Sequence, residues 1–300
     1  MGVRHHPRRI ALPLPGGQPQ ATVRVTPLLA GEAKLPPTYL NSPSGRLGRL
    51  RGLGLTTPRS RWIWAPVPAF LVEHPGAGAI LVDTGFAPSV AENPRESLGW
   101  RAGTLFTLRV GPEQAIREQL LARGIDPDAV GLVVMTHLHF DHASGVPEFP
   151  AATFVVDRHE WEAASSGGFR HGYRHSHFDH PFDWREIDYG ASDVESHETF
   201  GRTVDLLGDG SVRLLSTPGH THGHQSVLLR LAGRSLLLVG DAAYTRRAIA
   251  ESWIPALYAD RHVYLRSLGE IQRYIQAEPN AVVICGHDAE SWPTLESVYA

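Results

Sequence analysis

Apolar residues along this chain fall into short runs separated by Gly, Pro and polar clusters, with helical spacing in only a few places. Ala69 to Val72 and Ala79 to Val82 are β-rich runs around Pro75, Gly76 and Gly78, which predicts a hairpin ending at Asp83-Thr84-Gly85. Residues 86 to 110 are less regular. Pro112 suits a first helical position, Ile116 and Leu120 repeat at i and i+4, and Gly124 offers a stop, so a helix of about three turns is expected. Val130 to Met135 is nearly continuous apolar sequence, the pattern of a strand buried on both faces, and it delivers His137 at its end.

Thr153 to Val156 reads as another strand, followed by a short helical piece around Glu160 to Ala164. Residues 165 to 203 lose all periodicity and are expected to form a long functional loop region. Strands return at Val212 to Ser216, Ser226 to Leu231 and Ser235 to Val239, with Gly233 where the last two turn, so an antiparallel unit is predicted. Asp260 can cap a helix whose apolar positions Tyr264, Leu268, Ile271 and Ile275 keep helical spacing until Pro279. A last run, Ala281 to Cys285, leads into Gly286-His287. Strands and helices mix in both halves, which points to an α/β architecture with helices layered outside packed sheets.

At 300 residues and 42% apolar content, the chain is large enough for one sizeable core. Residues 21 to 300 are therefore read as one domain behind a loose Pro-, Gly- and Arg-rich arm at 1 to 20 that is ordered only if it docks. The 28 basic and 31 acidic side chains leave a formal charge of -3, so no global basic field attracts nucleic acid or an anionic membrane, and a small-molecule partner is expected. No apolar run approaches the roughly 20 residues that span a bilayer. Arg4 to Arg9 lead into a Pro-broken stretch rather than the apolar core of a signal, and Arg8-Arg9 is set aside as a weak twin-arginine match. One cysteine, Cys285, excludes an internal disulfide and suits a cytoplasmic setting. The oligomeric state is open, a homodimer included.

The informative excess is histidine, at 17 copies, because its neutral ring nitrogen is the commonest protein metal ligand. His137-Leu138-His139-Phe140-Asp141-His142 gathers four potential ligands directly after a buried strand. An isolated histidine is usually a solvated turn residue. Here the same chain also supplies His220 after Thr217-Pro218-Gly219, Asp241 after Gly240 and His287 after Gly286, each following an apolar strand. All but Asp141 and His142 sit at or just beyond a strand end, where a rigid scaffold can hold them. Imidazole and carboxylate donors suit zinc first, and manganese, iron or cobalt as well. A bound cation of this kind lowers the pKa of its water toward neutrality and can polarise a carbonyl under attack. Cys285 is read as a small buried residue rather than a ligand.

These residues resemble the metallo-β-lactamase superfamily, whose motif His-x-His-x-Asp-His is followed by a distant His, Asp and His; the resemblance covers roughly residues 69 to 290. It implies a four-layer αββα sandwich holding two divalent metal ions. His137, His139 and His220 would hold the first, Asp141, His142 and His287 the second, and Asp241 would bridge them. Asp83, in Leu81-Val82-Asp83-Thr84-Gly85, matches the acidic position near the first hairpin and is expected to accept the free N–H of a metal-bound histidine.

Within the superfamily, HLHFDHASG at 137 to 145, TPGHTHGHQ at 217 to 225, GDAAYT at 240 to 245 and CGHD at 285 to 288 are similar to the quorum-quenching N-acyl homoserine lactonases. That similarity implies opening of a lactone ring by a metal-bridging hydroxide. Tyr244 would hydrogen-bond the carbonyl oxygen as charge develops, and Asp141 would protonate the leaving alkoxide. A glyoxalase-II-like thioesterase or a broad esterase is the alternative. A nuclease of this family would need a nucleic-acid-clamping domain that neither length nor charge provides, and a metal sensor would favour a site closed by protein ligands. His175-Ser176-His177-Phe178-Asp179-His180 repeats the motif, but it lies in a polar, aromatic stretch ending at Pro181 and is read as a loop lining the substrate cleft. Trp62, Trp64 and Phe106 are candidate walls of an acyl-chain pocket; the first 65 residues and the stretch 165 to 205 carry no motif that aligns.

Overall fold

The computed structural model describes residues 2–43, 45, 47–98, 107–168, 171–192 and 194–300, the side chains of Arg49 and Ala91 excepted. Among these, one sheet contains β1 (Arg8–Arg9), β2 (Arg24–Leu35), β3 (Ile63–His74), β4 (Gly78–Val82), β5 (Thr107–Arg109), β6 (Leu132–Val134), β7 (Thr153–Asp157) and β8 (Asp183–Ile187). Their spatial order is β1-β8-β7-β6-β4-β3-β2-β5. The second sheet contains β9 (Glu195–His197), β10 (Phe200–Asp205), β11 (Val212–Ser216), β12 (Gln225–Arg230), β13 (Ser235–Gly240) and β14 (Val282–Cys285), in the order β14-β13-β12-β11-β10-β9. The predicted hairpin is β3 and β4, paired antiparallel from Phe70 opposite Val82 to His74 opposite Gly78. β4, β6, β7 and β8 run parallel, as do β13 and β14.

Because successive strand residues face opposite ways, each central strand feeds two apolar layers. Ile80, Val82, Leu132, Val134 and Val155 meet Leu214, Val227, Leu229, Leu236 and Leu238 between the sheets. Leu81, Val133, Phe154 and Val156 point outward, where Ile116, Leu120, Trp161 and Ala164 of the helices Ile116–Leu121 and Arg158–Ser166 cover them. On the far side, Leu228, Leu237 and Val239 pack on Tyr264, Leu268, Ile271 and Tyr274 of the helix Arg261–Ala277. The layers are helix, sheet, sheet, helix. Covering on both faces is why β6 and β13 read as unbroken apolar runs. Asp260 caps the last helix, accepting the amides of His262 and Val263 at 2.8 and 2.9 Å.

Three expectations need correction. The helix expected from Pro112 to Gly124 is a 3-10 turn, Pro112–Gln114, and a separate helix, Ile116–Leu121, divided at the extended Ala115 (φ -57°, ψ 134°). Side chains satisfy the backbone there: the Gly111 amide donates to Gln114, and the Gln119 amide group donates to the Gln114 and Leu29 carbonyls. The stretch 165 to 203 is not a plain loop, since it contains the one-turn helix His175–Phe178, β8, β9 and much of β10. β8 reads as polar because only Trp184 and Ile187 of its five residues are buried.

The arm at residues 2 to 20 is docked rather than loose. Arg8 and Arg9 pair with Arg185 and Glu186 of β8, Ile10 is buried, and the Leu14 amide donates to the Leu206 carbonyl at 2.8 Å. Asp179 anchors its start, accepting the amides of Arg4 and His5 at 2.9 and 3.0 Å and the His5 ring at 2.9 Å. Replacing Asp179 with Ala should cost about 1 to 3 kcal/mol and open the arm to trypsin at Arg8 and Arg9. Equal digestion rates for the variant and the parent would show that the anchor contributes nothing.

Candidate metal centre

Five strands end at one place. β4 runs into Asp83, β6 into Thr136 and His137, β11 into the turn carrying His220, β13 into Asp241, and β14 into His287. Two glycines allow the close approach. Gly219 (φ +131°) lies against the backbone of Tyr264, and a Cβ on Gly286 would collide with the Asp241 carboxylate. Asp83 itself has φ +59°, a left-handed conformation that aspartate tolerates better than most residues.

The seven side chains expected from the sequence as ligands converge here. Candidate ligand atoms of His137, His139 and His220 lie within 4.8 Å of one another, as do those of His137, His142 and Asp241, and those of Asp141, His142 and His287. Asp241 stands between the groups with its two oxygens facing different ways. Oδ2 is 3.2 Å from His220 Nε2 and 3.8 Å from His137 Nε2, whereas Oδ1 is 3.3 Å from His287 Nε2 and 3.6 Å from His142 Nε2. Asp141 Oδ2 lies 3.6 Å from His287 Nε2.

The outer ring nitrogens fix the direction of the inner ones. His287 Nδ1 donates to the Pro66 carbonyl at 2.8 Å, and His142 Nδ1 donates to Asp83 Oδ2 at 2.7 Å. Thr136 already donates its hydroxyl proton to Asp83 at 2.7 Å, so its oxygen accepts from His137 Nδ1 at 3.1 Å. With each Nδ1 donating outward, each Nε2 presents a lone pair inward when the ring is neutral. Among the described residues, His137 Nε2, His142 Nε2 and Asp241 Oδ1 are buried and lack hydrogen-bond partners. Buried polar atoms are normally paired, so this donor set fits divalent cations between the rings.

Burial lowers the pKa of His137 and His220 well below the ordinary value and that of His139 to about 4, which keeps these rings neutral at pH 7. For His142, burial pulls the same way, but Asp83, Asp241 and Asp141 outweigh it and raise the pKa to about 10. His287 is likewise raised against burial, chiefly by Asp241. A proton on His142 thus helps to balance the buried carboxylates, with His287 shifted in the same direction, a role that a bound cation would take over.

Two supporting groups were not singled out from the sequence, although the first lies within the quoted TPGHTHGHQ. His224 holds the backbone of Asp241: its Nε2 accepts the Asp241 amide at 3.0 Å, and its Nδ1 meets the Thr217 hydroxyl at 3.0 Å. Burial lowers its pKa to about 3. Glu160, fully buried on the helix Arg158–Ser166, accepts the Leu138 amide at 2.9 Å and the Gly223 amide at 3.3 Å, joining the two histidine-bearing loops. Its only sequence signal is an acidic residue in a first helical turn.

Above the cluster opens a cavity of about 180 Å³. Its polar end is His139, Asp141, Asp241, Tyr244 and His287, and its apolar side is Ala33, Leu35, Leu53, Leu108 and Leu257. Tyr244 is buried, with its hydroxyl 3.5 Å from His220 Nδ1, and Tyr39 stacks on it at 5.8 Å and 5°. Tyr39 went unnoticed because its surroundings match no motif. Two of the expected walls are elsewhere, since Trp62 donates to the Thr57 carbonyl and Trp64 stacks under Arg109 at 4.2 Å; the third, Phe106, lies outside the described residues. The second histidine motif does not line the cavity either. His175, His177 and His180 engage the carbonyls of Ala164, Ser97 and Ser176, and Asp179 holds the arm. Of this stretch only Gly172 borders the cavity among the described residues.

A four-layer sandwich with five histidines and two aspartates gathered at one end of its strands and on the short helix beside them defines a metal-dependent hydrolase scaffold. The chain belongs to the metallo-beta-lactamase superfamily, whose profile matches residues 62–287. It is 36% identical to the N-acyl homoserine lactonase AttM of Rhizobium radiobacter, over 77% of this chain and 85% of that protein. It is 30% identical to the N-acyl homoserine lactonase AiiA of Bacillus thuringiensis subsp. kurstaki, over 75% of this chain and 82% of that one. A solved structure of an N-acyl homoserine lactone hydrolase, with the product N-hexanoyl-L-homoserine at its catalytic metal center, superposes with a TM-score of 0.74. That pair is 25% identical and covers 92% of this chain and 97% of the other.

Asp83→Ala frees His142 Nδ1 and should lower affinity for the metals about 10- to 100-fold, measurable by competition with a chromogenic chelator. An unchanged affinity would remove Asp83 from the support of the site. Glu160 gives a pH signature: burial, opposed by hydrogen bonds from Thr221, the Leu138 amide and Tyr173, raises its pKa from 4.5 to about 7. Its contribution to stability is fully present below pH 4.5 and falls as pH rises toward about 7, because the unfolded chain ionises first. The loss is on the order of 3 kcal/mol. Glu160→Gln should flatten that slope in denaturant titrations between pH 5 and 8; parallel curves for the variant and the parent would mean that Glu160 is ionised throughout.

Proposed function

We propose that this protein is an N-acyl homoserine lactonase that opens the lactone ring with two divalent cations, zinc by preference, held by His137, His139, Asp141, His142, His220, Asp241 and His287. The observation that carries the reading is the pairing of this donor set with Tyr244 at the polar end of a cavity whose other side is aliphatic. Similarity to named lactonases over three quarters of the chain supports it. Residues 21 to 300 act as one catalytic unit in this reading, since both sheets contribute ligands. The nitrogen and oxygen donors favour borderline cations such as zinc, and a single buried cysteine suits a reducing cytoplasm.

When bound, the cations lower the pKa of a shared water and polarise the ester carbonyl. The side chains do the rest. Burial raises the Tyr244 pKa well above its ordinary value, so the phenol stays protonated and donates to the carbonyl oxygen as negative charge develops there. Tyr39, stacked flat on it and also raised by burial, holds the ring in place and keeps water off its face. Asp141, partly exposed in the cavity, takes the proton of the attacking water and returns it to the ring oxygen as the C–O bond breaks. The aliphatic leucines receive the acyl chain.

Tyr244→Phe should lower kcat for lactone hydrolysis about 10- to 1000-fold with two metal equivalents retained, read by metal analysis and a pH-stat assay on one preparation. Exhaustive chelation should abolish turnover, and added zinc should restore it. Preferential cleavage of thioesters in the same assay, with lactones left intact, would overturn the reading.

A further inference from the structure

The overall charge of -3 conceals a local imbalance beside the cavity. From Lys34 to Trp62 the chain carries Lys34, Arg46, Arg49, Arg51, Arg59 and Arg61 and not one acidic residue. Arg51, Arg59 and Arg61 are exposed, and none of the three pairs with a carboxylate among the described residues. The same stretch holds the apolar exposure of the molecule. Leu47, Leu50, Leu53 and Leu55 are 55%, 50%, 45% and 75% exposed, leaving Leu121 as the other exposed large apolar side chain among the described residues.

These leucines belong to one folded patch. The Leu55 amide donates to the Leu50 carbonyl, Gly52 packs on Ala256, and Gly54 packs on Trp62, whose ring lies 5.2 Å from the Arg59 guanidinium. Leu53 joins the patch to the cavity, since it both borders the cavity and is exposed.

We propose that this patch docks on an anionic lipid surface, with the leucines entering the headgroup boundary and the arginines meeting lipid phosphates, so that the cavity mouth faces the bilayer. Exposed aliphatic side chains interleaved with arginine are the composition of interfacial anchors. Each other occupant leaves half of the patch unexplained. A neutral lactone accounts for Leu53 but not for the arginines, and a nucleic acid accounts for the arginines but not for four leucines. A second copy across a two-fold axis would set arginine against arginine. The purpose rests on the lactonase reading, because an amphiphilic acyl lactone partitions into bilayers; the docking does not.

The test is co-sedimentation of the full metal-loaded chain with phosphatidylcholine vesicles, with and without phosphatidylglycerol. Binding is expected to the anionic vesicles alone and to weaken with salt. The triple variant Leu47→Ser, Leu50→Ser, Leu55→Ser and the triple variant Arg51→Gln, Arg59→Gln, Arg61→Gln should each bind about tenfold or more weakly. Metal content and circular dichroism should match the parent, which separates lost docking from lost folding. Absence of binding to anionic vesicles, or leucine variants that bind as the parent does, would overturn the proposal. So would a concentration-dependent dimer that the leucine variants abolish, which would assign the patch to a second copy. Vesicle binding by a chain that hydrolyses no lactone would support the docking while sinking the lactonase reading.

Discussion

A carboxylate buried with its two oxygens turned toward different groups of imidazoles is the constraint on which this structure depends. Asp241 cannot be stable there as an isolated charge, because desolvation of a carboxylate costs far more than one neutral hydrogen bond returns. Positive charge must lie on both sides of it. The protonated His142 provides part of that charge, His287 is shifted the same way, and the rings of His137, His139 and His220 on the other side form a group that could hold a cation. The sheets are arranged so that β13 ends at this residue and its neighbours end around it.

Support for the ligands comes from behind. Asp83 orients one ring and, through Thr136, a second; His224 fixes the backbone of Asp241; Glu160 ties together the loops carrying His139 and His220. None of these groups borders the cavity, and all are buried. A site assembled from distant strand ends needs such cross-links because no single segment is long enough to set its geometry, and an error of about 1 Å in placement is costly for catalysis.

The parts legible in the sequence were those where one physical demand dominated. β6, β11, β12 and β13 were readable because burial on both faces left mostly apolar runs, and five of the seven converging side chains because they sit at or just beyond a strand end. Asp83 was readable through its place after β4. β8 and β9 were hidden by polar outward positions, and the break at Ala115 by a helical spacing that continues across it. Tyr39 and Glu160 act through packing between remote segments, which leaves no local signature. The second histidine motif, set aside as a metal site and read as a cleft-lining loop, departs from the second part of that reading: it does not border the cavity, and its rings are spent on backbone carbonyls.

The two-residue β1 also bears on how these molecules behave when crowded together. A sheet presents unpaired amides and carbonyls along its outermost strand, an invitation for another chain to add itself. Here the outermost strands are β1, β5, β9 and β14, with two, three, three and four residues, whereas β2 and β3 inside have twelve each. Among the described residues the strands at the borders are thus short, and where β2 runs on past its three-residue pairing with β5, the C-terminal Tyr299 pairs with Val25 and occupies part of the open edge.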